Sequence, residues 1–523
     1  MKIKSTWLAA GVVAATFLGA TACQDLTVQP QSQITSANIF TDSTSYASFL
    51  AKLYGGLAVT GQQGPAGNAD INGIDEGFSQ YVRGYWQLQE LPTDEAIIGW
   101  GDTGLPELNT QTWSATNPFT TAMYARIFYQ VALANEFLRQ TSDAALSQRG
   151  TSAALSATVQ GYRAEARFLR ALSYYHAVDL FGNVPIVDEN FPVGQLPAQA
   201  TRADAFAFTE SELKAVRGLL PPSSTGNYYG RASQAAVDMT LAHLYLNAKN
   251  WSGTDRSADA LAAASAVIGA SGATIDNNFQ RPFSANNNTS PEMLFSVPFD
   301  GVKTRTYGGT TYLIHASIGD SMDPAAAGID GGWYGLRLRP EAVDRFAAGD
   351  ARANMIQTKN RSKTIASIGN NNDGYGLIKY RNLTTTGAAG SNSTFPDTDY
   401  PMYRLADAYL IYAEAMLRGG GGSRATALGY VNAVRARSSA GAITDPQLTL
   451  GVILDERGRE LLWEGMRRQD LVRFGTFSSA GVWSFKGSQT LPAGKVTEAF
   501  HDLYPIPANE LSANPKIKQN PGY

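Results

Sequence analysis

The chain has 523 residues, 44% hydrophobic and 17% charged, with a formal net charge of −3. A chain of this length can bury a full core, so neither general disorder nor a disulfide-stapled miniprotein fits. The near-neutral balance excludes the basic footprint of a nucleic-acid binder, and four histidines with one cysteine leave little room for a zinc site.

The first 22 residues read as an export signal. Lys2 and Lys4 precede an apolar run from Trp7 to Leu18, 12 residues long. That is too short to span a bilayer, which takes about 20 residues, but it suits a signal-peptide core. Gly19, Ala20, Thr21 and Ala22 then lead into Cys23. This resembles the lipobox of bacterial lipoproteins, in which the cysteine is lipid-modified and becomes the mature N-terminus. Ala20 stands where that pattern more often has leucine. Removal of residues 1–22 takes away Lys2 and Lys4 and no acid, which leaves a net charge of −5. Residues 23–39 are rich in Pro, Gln and Ser and are expected to be a tether.

The spacing of apolar residues predicts a helix over 40–57, with Tyr46, Phe49, Leu50, Leu53 and Leu57 on one face. Residues 61–120 show no sustained period. Helices are expected at 119–140 and, most strongly, at 160–181, where Phe168, Leu172 and Tyr175 mark one face and Gly182-Asn183 ends the run. Further helices fit 201–220, 232–249 and 256–270. Residues 276–400 form a loop-rich insert with one strand at Leu294–Phe299. Helices resume at 401–418, 423–437 and 451–468, with Ser423 as an N-cap and Glu464 pairing with Arg467 and Arg468 on an exposed face. Paired helices with alanines at their contacts suggest hairpins of the tetratricopeptide type.

Three segments carry a resemblance. Ala164–Tyr175 is followed by Asp179-Leu-Phe-Gly-Asn-Val-Pro-Ile186. Tyr400–Ala415 is followed by Asp455–Gly465 and Arg468–Phe474. Tyr504-Pro-Ile-Pro-Ala-Asn-Glu-Leu-Ser-Ala-Asn-Pro515 precedes the closing Gln519–Tyr523. In this order, behind a lipobox, they resemble the SusD/RagB family of outer-membrane nutrient-binding lipoproteins. The resemblance implies a mainly α fold, in which tetratricopeptide-like helical hairpins form a scaffold and a loop-rich insert carries the ligand face. The regions expected are a signal peptide at 1–22, a tether at 23–39, an N-terminal helical region at 40–275, a variable insert at 276–400 and a C-terminal helical region at 401–523. It also implies a partner, a SusC-type TonB-dependent transporter, and surface exposure on the outer membrane through a lipid on Cys23. Within the motifs, Phe168, Trp463 and Tyr523 are expected to pack rather than to touch ligand.

A sugar offers C–H faces to aromatic rings and hydroxyls to polar side chains. Two loops have that chemistry. Trp100 and Asp102 lie between glycines after Thr93-Asp94-Glu95, a stretch that also resembles a family region preceding a stacking tryptophan. Trp333 and Tyr334 sit between Gly332 and Gly335, just before Arg337 and Arg339. The candidate ligand-binding residues are therefore Trp100, Asp102, Trp333, Tyr334 and Arg337, with Trp86 and Tyr228-Tyr229 behind them. If both tryptophans stand over water, replacing either with Ala should cost under ~0.5 kcal/mol of stability.

No HExxH, GxSxG or P-loop is present. Asp70–Glu76 glances at a calcium loop but misplaces its glycine, and Asn370–Gly374 suits a surface turn. No metal, cofactor or catalytic residue is assigned. The expected function is capture of a nutrient, foremost an oligosaccharide, for a transporter without chemistry. The alternatives are a secreted glycoside hydrolase, for which Asp94 and Glu95 would be the acids, and a structural helical-repeat adaptor.

Overall fold

A computed structural model describes Phe40, residues 42–319 and residues 321–523. Cys23 and the expected signal and tether lie outside these residues. The chain divides into two compact units, 1–46 and 47–523. In the first, the rings of Phe40 and Tyr46 lie 5.1 Å apart.

Helices dominate. Those of ten residues or more among the described residues are α1 (Ser43–Ala58), α2 (Tyr81–Glu90), α3 (Pro118–Gln140), α4 (Ala153–Leu180), α5 (Arg202–Arg217), α6 (Gln234–Leu246), α7 (Ser257–Ala270), α8 (Leu405–Leu417), α9 (Arg424–Arg437) and α10 (Leu450–Glu460). Their starts are chemically defined. Asn117 accepts from Phe119 and Thr120 N–H ahead of Pro118 at the first turn of α3. Thr201 and Asp204 form a reciprocal capping box at α5, and Ser423 caps α9 as expected. From α3 to α9 each helix packs on its successor, and α8 also meets α10. This succession of antiparallel pairs is the tetratricopeptide-like scaffold, closed by small contact residues such as Ala236, Ala242, Ala260 and Ala264, all buried.

Among the described residues, six short strands add three two-stranded ladders. β1 (Ala96–Ile98) pairs antiparallel with β3 (Leu336–Leu338), β2 (Met293–Val297) with β6 (Tyr400–Arg404), and β4 (Ile356–Gln357) with β5 (Gly376–Leu377). β2 matches the strand expected near Leu294. β6 corrects the helix expected from 401: Tyr400–Arg404 runs extended against β2, and helix begins only at Leu405.

The helix expected over 451–468 is also interrupted. It stops at Glu460, Trp463 and Gly465 take left-handed φ values of 61° and 75°, and helix resumes at Arg467–Arg473. The exposed Glu464–Arg467–Arg468 cluster does not form. Glu464 is buried against Arg404 and Lys379, Arg467 pairs with Asp94 and Arg468 with Asp179. Two carboxylates and two cations from elsewhere in the chain outcompete the local spacing.

Trp86 at the centre of α2 is fully buried, and its Nε1 donates to the Trp463 carbonyl at 2.9 Å. The two indoles meet edge to face, with centroids 5.6 Å apart. Trp86 thus belongs to the core and not to a ligand face. Glu90, at the end of the same helix, accepts from Gly465 and Met466 N–H. Helix α2 is in this way fastened to the C-terminal region at one end, while its first turn is left to carry Arg83.

Candidate functional site

The β1–β3 ladder decides which loops meet. In antiparallel pairing, the residues after β1 lie beside those before β3. The hydrogen bond from Gly99 N–H to Gly335 O, 3.0 Å long, extends the ladder by one step. Trp100 therefore lands against Gly335, where any Cβ would collide with the indole. Gly335 has φ 116° and Tyr334 before it φ 60°, a left-handed pair that a non-glycine residue holds only when its surroundings impose it. Here they do: Trp333 N–H donates to His315 O at 2.8 Å and Tyr334 N–H to Ile318 O at 3.0 Å. Asn109 pins the other strand, accepting from Ile98 N–H and donating to Ile98 O.

The two loops separated by more than two hundred positions thus form one face. Trp100 and Trp333 are partly buried, Tyr334 is 40% exposed and Asp102 is exposed. Trp100 meets Tyr312 edge to face at 5.9 Å. Trp333 stacks on His315 at 4.7 Å with a 22° interplanar angle, and its far edge reaches Tyr307 at 6.0 Å. Because one side of each indole is packed, the expectation that their loss would be almost free of stability cost is corrected.

Sequence spacing missed four members of this face. Arg83, buried on α2, lies over the Tyr312 ring at 4.3 Å and the Trp100 ring at 5.8 Å. It donates to Tyr307 O at 3.1 Å while its Nε has no partner within the protein. Burial lowers its pKa, and Tyr312, Asp75 and Asp102 work against that shift. Burial also raises Tyr312 to about 12, with Arg83 opposing. Tyr307 and Asp75 complete the set. No period or motif marks these residues, because they come from three separate elements.

Arg337 is a correction. Its guanidinium is 1% exposed and donates to the carbonyls of Ile368, Asn370 and Asp373. Burial, then Arg361, bring its pKa down to about 10. It holds the 368–373 loop behind β3, and Asn370–Gly374 is the turn so held. Tyr229 and Tyr228 engage Asp399 and Arg231 instead of the tryptophans.

The residues considered for chemistry are tied up. Asp94 pairs with Arg345 and Arg467, and Glu95 with the same two. Those arginines hold the Asp94 carboxyl well below the usual carboxylate range. Asp70 pairs with Lys52 and Arg126, and Asp75 accepts from Gly77 and Phe78 N–H. His176 is fully buried among Tyr81, Tyr85 and Tyr175.

A helical scaffold that leaves an aromatic, polar-rimmed face on paired loops defines the class of fold. Solved structures share the helical fold, among them surface glycan-binding protein A from Bacteroides fluxus (TM-score 0.72, 21% identity, 92% of this chain and 100% of that one), and the protein of that name from Bacteroides thetaiotaomicron in complex with laminarihexaose (TM-score 0.71, 20% identity, 91% and 99%). The SusD family model matches residues 353–523, and a model described as starch-binding associating with outer membrane matches 93–246. The chain is 32% identical to starch-binding protein SusD of Bacteroides thetaiotaomicron over 98% of both sequences. It belongs to the SusD family.

Proposed function

We propose that this protein is a surface-exposed, lipid-anchored outer-membrane protein that holds an oligosaccharide on the Trp100–Trp333–Tyr334 face and passes it unchanged to a SusC-type TonB-dependent transporter. The observation that carries the reading is the β1–β3 pairing, which sets two tryptophans from distant loops beside Arg83 and Asp102. Rings at an angle offer C–H faces of successive sugars a curved wall. The Arg83 guanidinium and the Asp102 carboxylate would serve as donor and acceptor for hydroxyls. The names of the relatives support a glycan as ligand, and the description of the second matching family supports the location. Cys23 as the lipid-bearing residue and the transporter as partner rest on the sequence resemblance. Asp94 and Glu95, locked in ion pairs, favour binding over hydrolysis.

Titration calorimetry with a panel of neutral glucans against the native chain and its Trp100→Ala and Trp333→Ala variants tests this. Binding by the native chain and weakened binding by both variants is the expected outcome. Equal affinity in all three, or release of reducing ends that disappears with a single carboxylate substitution, would refute it.

A further inference from the structure

Two adjoining cavities of about 540 and 530 Å³ flank the 3-10 turn Ala351–Met355, and Ala351 and Asn354 line both. No ring of the Trp100 face lines either one. The first has an apolar side from Phe279, Met355 and Ile378 and a polar side from Asn354, Gln357 and Ser438.

Its electrostatics are one-sided. Arg381 and Arg437 line it and no Asp or Glu does. The Arg437 guanidinium is neutralised by Glu292 and Glu460. Arg381 is not: its side chain donates to Ser284 Oγ at 3.3 Å, and among the described residues no carboxylate pairs with it. Burial accordingly lowers its pKa. Two more polar atoms on this wall, Ser438 Oγ and Arg437 Nε, are buried with no hydrogen-bond partner in the protein, and Ser438 is 1% exposed. Buried polar groups are normally satisfied, and a lining with an unpaired arginine and no acid calls for a ligand that accepts from Arg381.

We propose that this groove is a second oligosaccharide site, which takes a sugar unit bearing a carboxylate. A carboxylate matches the guanidinium fork of Arg381 in a way a neutral hydroxyl does not. The ring's C–H face lies on Phe279, and its hydroxyls meet Asn354 and Gln357. This rests on the reading of the chain as a glycan binder, but it involves different residues.

The test uses the full chain and two probes, an oligogalacturonate and its methyl ester, which keeps the sugar and removes the charge. In a Trp100→Ala background, the acid should still bind, and Arg381→Gln should weaken it about tenfold while leaving the ester unchanged. Asn354→Ala, at an exposed position, should weaken both probes and stands in should Arg381→Gln fail to fold. Failure of the acid to bind, or equal affinity in the parent and both groove variants, overturns the groove. Neutral-glucan binding that still depends on Trp100 would then leave the proposed function intact, whereas loss of that dependence alone would strike the proposed function and not the groove.

Discussion

Trp100 and Trp333 each divide their indole between the protein and the exterior, and both consequences can be measured. Full burial of a large aromatic is worth ~3–5 kcal/mol on truncation to Ala, so a half-packed ring should cost about 1–3 kcal/mol, read as a lowered melting temperature. Loss of the face that meets the ligand should cost ~1.5–3 kcal/mol of binding, a roughly 10- to 150-fold drop in affinity. Trp86→Ala separates the two effects, because its ring is wholly core; it should lose far more stability than either. Arg337 teaches the complementary lesson. The sequence displays a charge beside a glycine-hinged aromatic pair, but not the three carbonyls that claim it. Histidine gives a pH signature at the same scale. Burial, and then the charge of His243, push His176 down to about 3, against ~6.5 in an unfolded chain. The unfolded state therefore takes up a proton that the folded state refuses. Stability is complete above pH ~6.5 and declines as pH falls towards 3, by ~1.4 kcal/mol per unit for this one group. His315, also lowered by burial, adds to the decline in the upper part of that window. Urea unfolding at pH 7.5 and 5 should show the loss, and His176→Gln should reduce the difference between the two pH values; an unchanged difference would discard this assignment.

At the level of elements, what could be read from the sequence depended on whether apolar residues recur at helical spacing, since α2 and the Phe168–Leu180 stretch of α4 are both buried at every position. Helix α4 was legible because Phe168, Leu172 and Tyr175 recur at helical spacing. Helix α2 was not, since Arg83, Gln87, Gln89 and Glu90 are buried alongside Trp86 and leave no apolar stripe. The 401–418 and 451–468 runs were too long in prediction for one reason: a strand or a left-handed turn can join a helix without any change in hydrophobicity. The turn at Trp463 is held by a buried charge cluster that sequence spacing cannot reveal. Arg404 reaches Glu292, Glu460 and Glu464 at 2.6–2.7 Å, while Lys379 shares Glu464 and Arg437 shares Glu292 and Glu460. Removing one member of such a cluster leaves buried charge uncompensated, typically ~3–5 kcal/mol. Arg404→Met should therefore destabilise the protein by about that amount in a denaturant titration, although Met fills a similar volume. A loss below ~1 kcal/mol would mean that water reaches these carboxylates and that the cluster is not what holds β6 to α10.

For the whole molecule, the proposed attachment and the proposed binding rest on different residues. No helix among the described residues is long and apolar enough to cross a membrane, and the candidate ligand face is assembled entirely within residues 47–523. If anchoring rests on acyl chains at Cys23, each buried methylene contributes ~0.8 kcal/mol, and one chain holds only reversibly while several hold firmly. Cys23→Ser removes the chain's single thiol at a position outside the residues that carry the candidate face. The variant should unfold at the same temperature and bind glycan with the same affinity as the parent, yet appear in the soluble fraction of cells whose parent protein sediments with outer membranes. Washing in high salt sharpens the contrast, because it releases proteins held by charge and leaves those held by hydrocarbon. A Cys23→Ser protein that still sediments after such a wash would assign the attachment to a protein partner, and the lipid reading of Cys23 would fall while the fold and the aromatic face remain as described.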